Sequence, residues 1–122
     1  MEKMPQVESL MNPILRALFA LGGAGTVNDI DERVLLDEKI EKKFTEILHE
    51  PKRGKLTEIR YRLAWARTYL KKYGLITNST RGIWCLTALA NEKNRVIPKV
   101  VVSEVRKADK EFSISSNCKH YI

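Results

Sequence analysis

Three features of the 122-residue sequence predict a mainly α-helical domain with a small β-hairpin, α+β in class and winged helix-turn-helix in arrangement. Apolar residues recur at helical spacing in two long stretches: Leu10, Ile14, Leu18 and Leu21, then Ile59, Leu63, Ala66, Leu70 and Tyr73. Two short β-prone runs, LIT at 75–77 and IWCLT at 83–87, flank a polar turn that contains Gly82. The order is helix, short strand, helix, helix, strand, turn, strand. In that arrangement the helix before the hairpin enters the DNA major groove, and the hairpin tip is the wing.

Each element has its own local reasons. Residues 7–21 form an amphipathic helix whose stripe is widened by Leu15 and Phe19. Pro13 lies inside it, and GGAG at 22–25 stops it. Thr26-Val27 suits a brief strand. Asn28 is the expected N-cap of a second helix, with Asp29, Asp31 and Glu32 in the first turn, where the helix dipole favours acids. Asp37 is expected to cap a further helical stretch carrying Ile40, Phe44, Ile47 and Leu48. EPKRGK at 50–55 is a loop with Pro, Gly and three cations. Thr57 caps a helix to Tyr73, and Gly74 ends it. Thr87 is expected to cap a last short helix, 88–94. From Val96 the pattern weakens. KVVVSEVRKADKEF suits a helix with Val101, Val105 and Ala108 on one side, while Val100 to Val102 could equally form a strand. Residues 113–122 show no periodicity, and a poorly ordered tail is expected there.

Length and composition limit the function classes. The chain fits one domain. No run approaches the roughly 18 to 20 apolar residues of a membrane span, and no signal-peptide h-region is present, so no membrane partner is expected. Cys85, Cys118, His49 and His120 are scattered, without CxxC or paired-histidine spacing. The reading is reduced thiols in a cytoplasmic protein, with no metal and no cofactor. There is no nucleotide-binding loop and no nucleophile with a nearby base, so an enzyme is not expected.

Charge is unevenly placed. Net charge is +7, yet residues 1–50 carry −4 and residues 51–122 carry +11. Between 51 and 81 there are nine bases (Lys52, Arg53, Lys55, Arg60, Arg62, Arg67, Lys71, Lys72 and Arg81) and one acid, Glu58. A basic surface beside an acidic remainder fits a polyanion such as double-stranded DNA bound on one side; a solvated basic face is the alternative. Lys52, Arg53 and Lys55 sit where backbone phosphate would lie. Thr57 and Tyr61 begin the recognition helix, and Glu58 either accepts from a cytosine amino group or serves the helix dipole. The wheel sets Arg60, Arg67 and Lys71 on an outward basic stripe, with Thr68 beside it. Arg62 lies nearer the core and is expected to pair with Asp31 or Glu32. Trp65 and Trp84 are expected in the core. Arg81 is the wing-tip contact.

Two stretches, MPQVESLMNPILRALFALGGAGTVNDI and RYRLAWARTYLKKYGLITNSTRGIWCLT, resemble the N-terminal domain of Mrr-type restriction proteins. The resemblance covers about residues 4–90 and is most specific in RLAWARTYLKKYGLI with the later RGIWCLT. It implies a winged helix that binds DNA and guides an attached nuclease. That nuclease is a C-terminal domain of the PD-(D/E)xK class, which acts on modified DNA with a divalent metal. Glu104, Asp109 and Glu111 do not form its motif of a strand-borne Asp followed by an acid-x-Lys pair. VVVSEVRKADKE looks like the connector into such a domain. The expected organisation is therefore a winged-helix DNA-binding domain at 1–94 and a linker-like helix and tail at 95–122, with no catalytic domain. A stand-alone DNA-binding protein, a truncated product and a domain that lost its nuclease all remain open. So do a homodimer, a nuclease partner in trans, and a protein-interaction adaptor or transcriptional regulator on the same fold.

Overall fold

The computed structural model describes residues 4–115, with side chains through Lys110. Helix α1, Val7–Ala20, runs unbroken through Pro13 and buries Leu10, Met11, Ile14, Leu15 and Leu18. It is followed by strand β1, Ala24–Thr26, helix α2, Val27–Asp37, and a single turn of helix α3, Lys42–Thr45. Helix α4 spans Glu58–Tyr73, strands β2 and β3 span Ile76–Thr80 and Ile83–Leu86, and helices α5 and α6 span Ala88–Glu92 and Pro98–Ser115. The result is the mainly helical, small-sheet, winged-helix-like α+β fold that the sequence predicts.

The sheet has the order β1-β3-β2, antiparallel throughout. Gly25 faces Trp84 across one ladder, and Thr77 faces Cys85 across the other, with a bulge between Thr77 and Thr80. The hairpin turn is tighter than the 78–82 segment expected, because Asn78 to Thr80 belong to β2 and only Arg81-Gly82 turn. Gly82 takes φ +80°, which suits glycine there.

The helix limits agree best where a cap is local. Thr57 accepts from the Arg60 amide at the start of α4, and Gly74, at φ +98°, closes the end. Three caps differ from expectation, the first being Asp37, which ends α2 in a pair with Arg33 and leaves Glu41 as the N-cap of α3. Thr26, not Asn28, caps α2, because its hydroxyl accepts from the Asp29 amide while the Asp29 carboxylate accepts from the Thr26 amide. Thr87 does not cap α5 through its side chain; its hydroxyl donates to the Gly74 carbonyl at 2.6 Å. The helical stretch expected after Asp37 shortens to α3, leaving Ile47 and Leu48 exposed.

The core lies between α1, α2 and α4, with Ile30, Val34, Ile59, Leu63, Leu70 and Leu75 fully buried. Helix α6 joins it through Val101 and Val105, so the first half of this helix packs against the domain. The strand alternative for 100–102 is excluded by that helix. Asn12 of α1 holds the approach to α6 with a reciprocal pair, its amide donating to the Val96 carbonyl at 3.0 Å and its oxygen accepting from the Val96 amide at 2.9 Å. Of the tail expected at 113–122, residues 113–115 continue α6, and 116–122, with Cys118 and His120, lie outside the described residues.

Candidate nucleic-acid interface

The candidate surface is built on α4 and its two flanks, the 49–56 loop before it and the hairpin after it. The loop is closed at its base by two backbone bonds, His49 N to Leu56 O at 2.8 Å and Glu58 N to Ile47 O at 2.7 Å. Pro51–Arg53 makes a 3-10 turn within it. This closure projects Lys52, Arg53 and Lys55 into solvent. The Arg53 side chain is 83% exposed and shares a 2.9 Å pair with Glu50.

The first turn of α4 is a polar lattice. His49 Nδ1 lies 2.6 Å from Glu58 Oε1, and the Arg62 Nε donates to Glu58 Oε2 at 2.7 Å. The bond to His49, and then Arg62, hold the Glu58 carboxyl below its usual 4.5, against the burial that raises it. Glu58 is thus committed inside the protein, and its base-reading role has no free carboxylate in this arrangement. Tyr61 stacks on His49, with ring centroids 3.6 Å apart and planes 15° apart. Arg62 also donates to the Pro5 carbonyl at 2.9 Å, so its partners are Glu58 and the N-terminal segment, not Asp31 or Glu32.

The acids of α2 are taken by other arginines. Arg60 donates to Glu32 at 2.6 Å and to Asp31 at 3.3 Å. Arg67, one heptad later on the same flank, is 5% exposed and bonds the other oxygen of Asp31, itself 1% exposed. Burial pushes the Asp31 carboxyl up, while Arg67 and then Arg60 pull it down. The outward basic stripe is therefore corrected at two of its three members. Arg60 and Arg67 face α2 because an acid on a buried face needs a cation, and only this flank of α4 supplies one. The third member, Lys71, is exposed, and its ammonium sits 6.0 Å from the Trp84 ring centre. The Arg67 guanidinium is 5.9 Å from the same ring.

Five of the nine bases between 51 and 81 thus have acid partners: Arg53, Arg60, Arg62, Arg67 and Lys72, the last with Asp109 of α6 at 3.0 Å. Among the described residues, Lys52, Lys55, Lys71 and Arg81 are exposed and have no acid partner. They border α4 at its entry, its C-terminal end and the wing tip. Thr57 is spent on capping, and the Thr68 hydroxyl donates to the Ala64 carbonyl at 3.0 Å, half-buried.

Trp65 is not core: it is 45% exposed on α4, beside Tyr69. Trp84 is half-buried, packed against the core. His49, which the sequence reading does not single out, lies in the candidate surface beside Glu58 and Tyr61. Its signal was its position, nine residues before Glu58, at the mouth of a basic loop. No group of three or more His, Cys, Asp and Glu residues among those described could hold a metal ion. No helix among them is long and apolar enough to cross a membrane.

The family model of the Mrr N-terminal domain matches residues 8–94. No curated protein and no solved structure matches the chain.

Proposed function

The chain belongs to the Mrr N-terminal domain family, and from that premise we propose that it is a winged-helix DNA-binding module associated with an Mrr-type restriction system. The observation that carries the reading is the set of exposed cations without acid partners, Lys52, Lys55, Lys71 and Arg81, bordering α4. Phosphate contact by these side chains would seat the module, with exposed Ala64 and the partly exposed Tyr61 and Thr68 on the same helix. In this reading the module acts in the cytoplasm, and these residues bind DNA without chemistry of their own.

A second reading rests on Trp65. With Tyr69, Val7 and Val102 it lines a groove of about 320 Å³ between α1, α4 and α6. An exposed aromatic of this kind supports a protein-interaction adaptor or a homodimer.

Titration of fluorescent duplex DNA at several salt concentrations decides between them. Each phosphate contact adds about 0.9 to the slope of log affinity against log salt. Replacing Lys52, Lys55, Lys71 and Arg81 together with Ala is expected to flatten the slope by roughly 3 to 4. A folded wild-type protein that fails to bind at low salt removes the DNA reading and leaves the Trp65 groove.

A further inference from the structure

Bonds within the chain use up the side chains of α4 that could read base edges. Arg60 and Arg67 are held by Asp31, Arg62 by Glu58, and the Thr68 hydroxyl by the Ala64 carbonyl. The residues that α4 leaves exposed are Ala64, Trp65, Lys71 and Lys72, and Lys72 is paired with Asp109. None of these carries the paired polar atoms with which Arg, Asn or Gln recognises a base from the major groove. What the helix presents instead is a large aromatic surface, the indole of Trp65, 45% exposed.

That indole lies in the groove of about 320 Å³ between α1, α4 and α6, a size at the lower end of the roughly 300 to 1,000 Å³ of small-ligand sites. The Tyr69 ring stands 6.2 Å away at a tilt of 42°, so the two rings are not stacked on each other. Half-buried Val7 and Val102 complete the apolar lining. Charge enters from two sides, Glu8 of α1 and Arg106 of α6. Arg106 is exposed and has no acid partner among the described residues. Of the large apolar side chains exposed among the described residues, Trp65 alone lines this groove. One aromatic bounded by charges fits a single planar guest, whereas a stable protein partner covers about 800 Å² on each side. Helical spacing makes Tyr61 and Thr68 the neighbours of Trp65, so the groove adjoins the outward face of α4.

An unpaired nucleobase matches this set. Its flat face stacks on an aromatic ring whatever its identity, and a cation alongside takes its phosphate. Glu8 repels a phosphate, so the strand's charge falls on the Arg106 side. A base inside a duplex has its faces covered by its neighbours and offers only edges, for which α4 has no free donors. Resting on the DNA-binding reading, we propose that the Trp65 groove holds an unpaired base of single-stranded DNA, stacked on the indole, with Arg106 on an adjoining phosphate. The module then recognises unpaired segments of DNA, and a duplex is held through its phosphates alone.

The test is titration of the whole protein with a fluorescent oligo-dT strand and with a blunt, fully paired duplex, at several salt concentrations. Trp65→Ala is expected to weaken binding of the single strand roughly 5- to 150-fold and to leave duplex affinity unchanged. Trp65→Phe, which keeps an aromatic face, is expected to retain most of the single-strand affinity. Arg106→Ala is expected to lower the single-strand salt slope by about 0.7. Duplex binding without single-strand binding overturns the proposal and leaves the DNA reading standing. An equal loss for both DNAs in a folded Trp65→Ala variant also overturns it. Where Trp65→Ala does not fold, the Arg106→Ala slope decides, and an unchanged slope overturns the proposal. Single-strand binding that needs Trp65, without duplex binding, upholds it and removes the duplex reading. A wild-type dimer that Trp65→Ala dissociates with DNA affinity unchanged overturns it and gives the groove to a second copy. Failure to bind either DNA at low salt overturns both readings.

Discussion

Replacing Arg67 with Ala is expected to damage stability and spare DNA contact. The change leaves the Asp31 carboxylate, 1% exposed, facing only Arg60 at 3.3 Å. Removing one partner of a buried ion pair costs roughly 3 to 5 kcal/mol, and the residual Arg60 contact places this case near about 3 kcal/mol. That is a large share of the roughly 5 to 15 kcal/mol that holds a domain together. In urea, with an m-value of about 1.5 to 2 kcal/mol/M, the midpoint falls by roughly 1.5 to 2 M. Asp31→Asn combined with Arg67→Met removes the stranded charge and is expected to return to within about 1.5 kcal/mol of wild type. Burial already holds the Asp31 carboxyl above its usual 3.8, and losing Arg67 removes the largest force opposing that rise. A carboxyl raised in the folded state favours folding at low pH and loses that benefit as the pH rises through its folded value. The Arg67→Ala deficit is therefore full at pH 7 and shrinks as the pH falls toward about 4. The salt slope of DNA binding by the folded Asp31→Asn/Arg67→Met double variant is expected to stay at the wild-type value. A stability loss under about 1 kcal/mol, or a slope reduced by about 0.9, would refute the assignment of Arg67 to the interior.

Two further outcomes test the lattice around α4. Glu58 is held below its usual 4.5 by His49 and Arg62. Its contribution is present above that value and lost as the pH falls through the lowered one. Glu58→Gln is expected to cost about 1 kcal/mol at pH 7 and progressively less as the pH falls below 4.5, read from denaturation curves across that range. Val101→Ala, on the buried face of α6, is expected to cost about 2 kcal/mol. A neutral Val101→Ala would show that α6 adds little to the core.

What the sequence disclosed depended on how far apart the deciding groups lie. The limits of α4 were legible because Thr57 and Gly74 act within one turn of their own position, and the hairpin because its turn and strands are contiguous. The stripe on α4 was only half legible. A helical wheel separates the apolar side from the polar flanks, but it does not say which flank meets another helix. Asp31 lies 36 positions before Arg67, and only the packing of α2 on α4 brings them together. Part of the charge asymmetry that suggests an external polyanion is neutralised by ion pairs within the chain, to Asp31, Glu32 and Glu58. Trp65 was misplaced for a related reason. Aromatic size predicts burial on average, and here α1 and α6 leave the indole at their edge. Thr26 reads as strand in the sequence, yet it both ends β1 and caps α2.

The two backbone bonds at the base of the 49–56 loop bear on the thermodynamics of any encounter. A basic arm that must be ordered on contact loses conformational entropy at that moment, and its binding carries the heat-capacity signature of coupled folding. In the proposed DNA complex this loop would arrive with its main chain already closed at the base, so the ordering falls mainly on the lysine and arginine side chains. Association through it should show a small heat-capacity change and a rate set by electrostatic attraction, not by the time the loop needs to find its form.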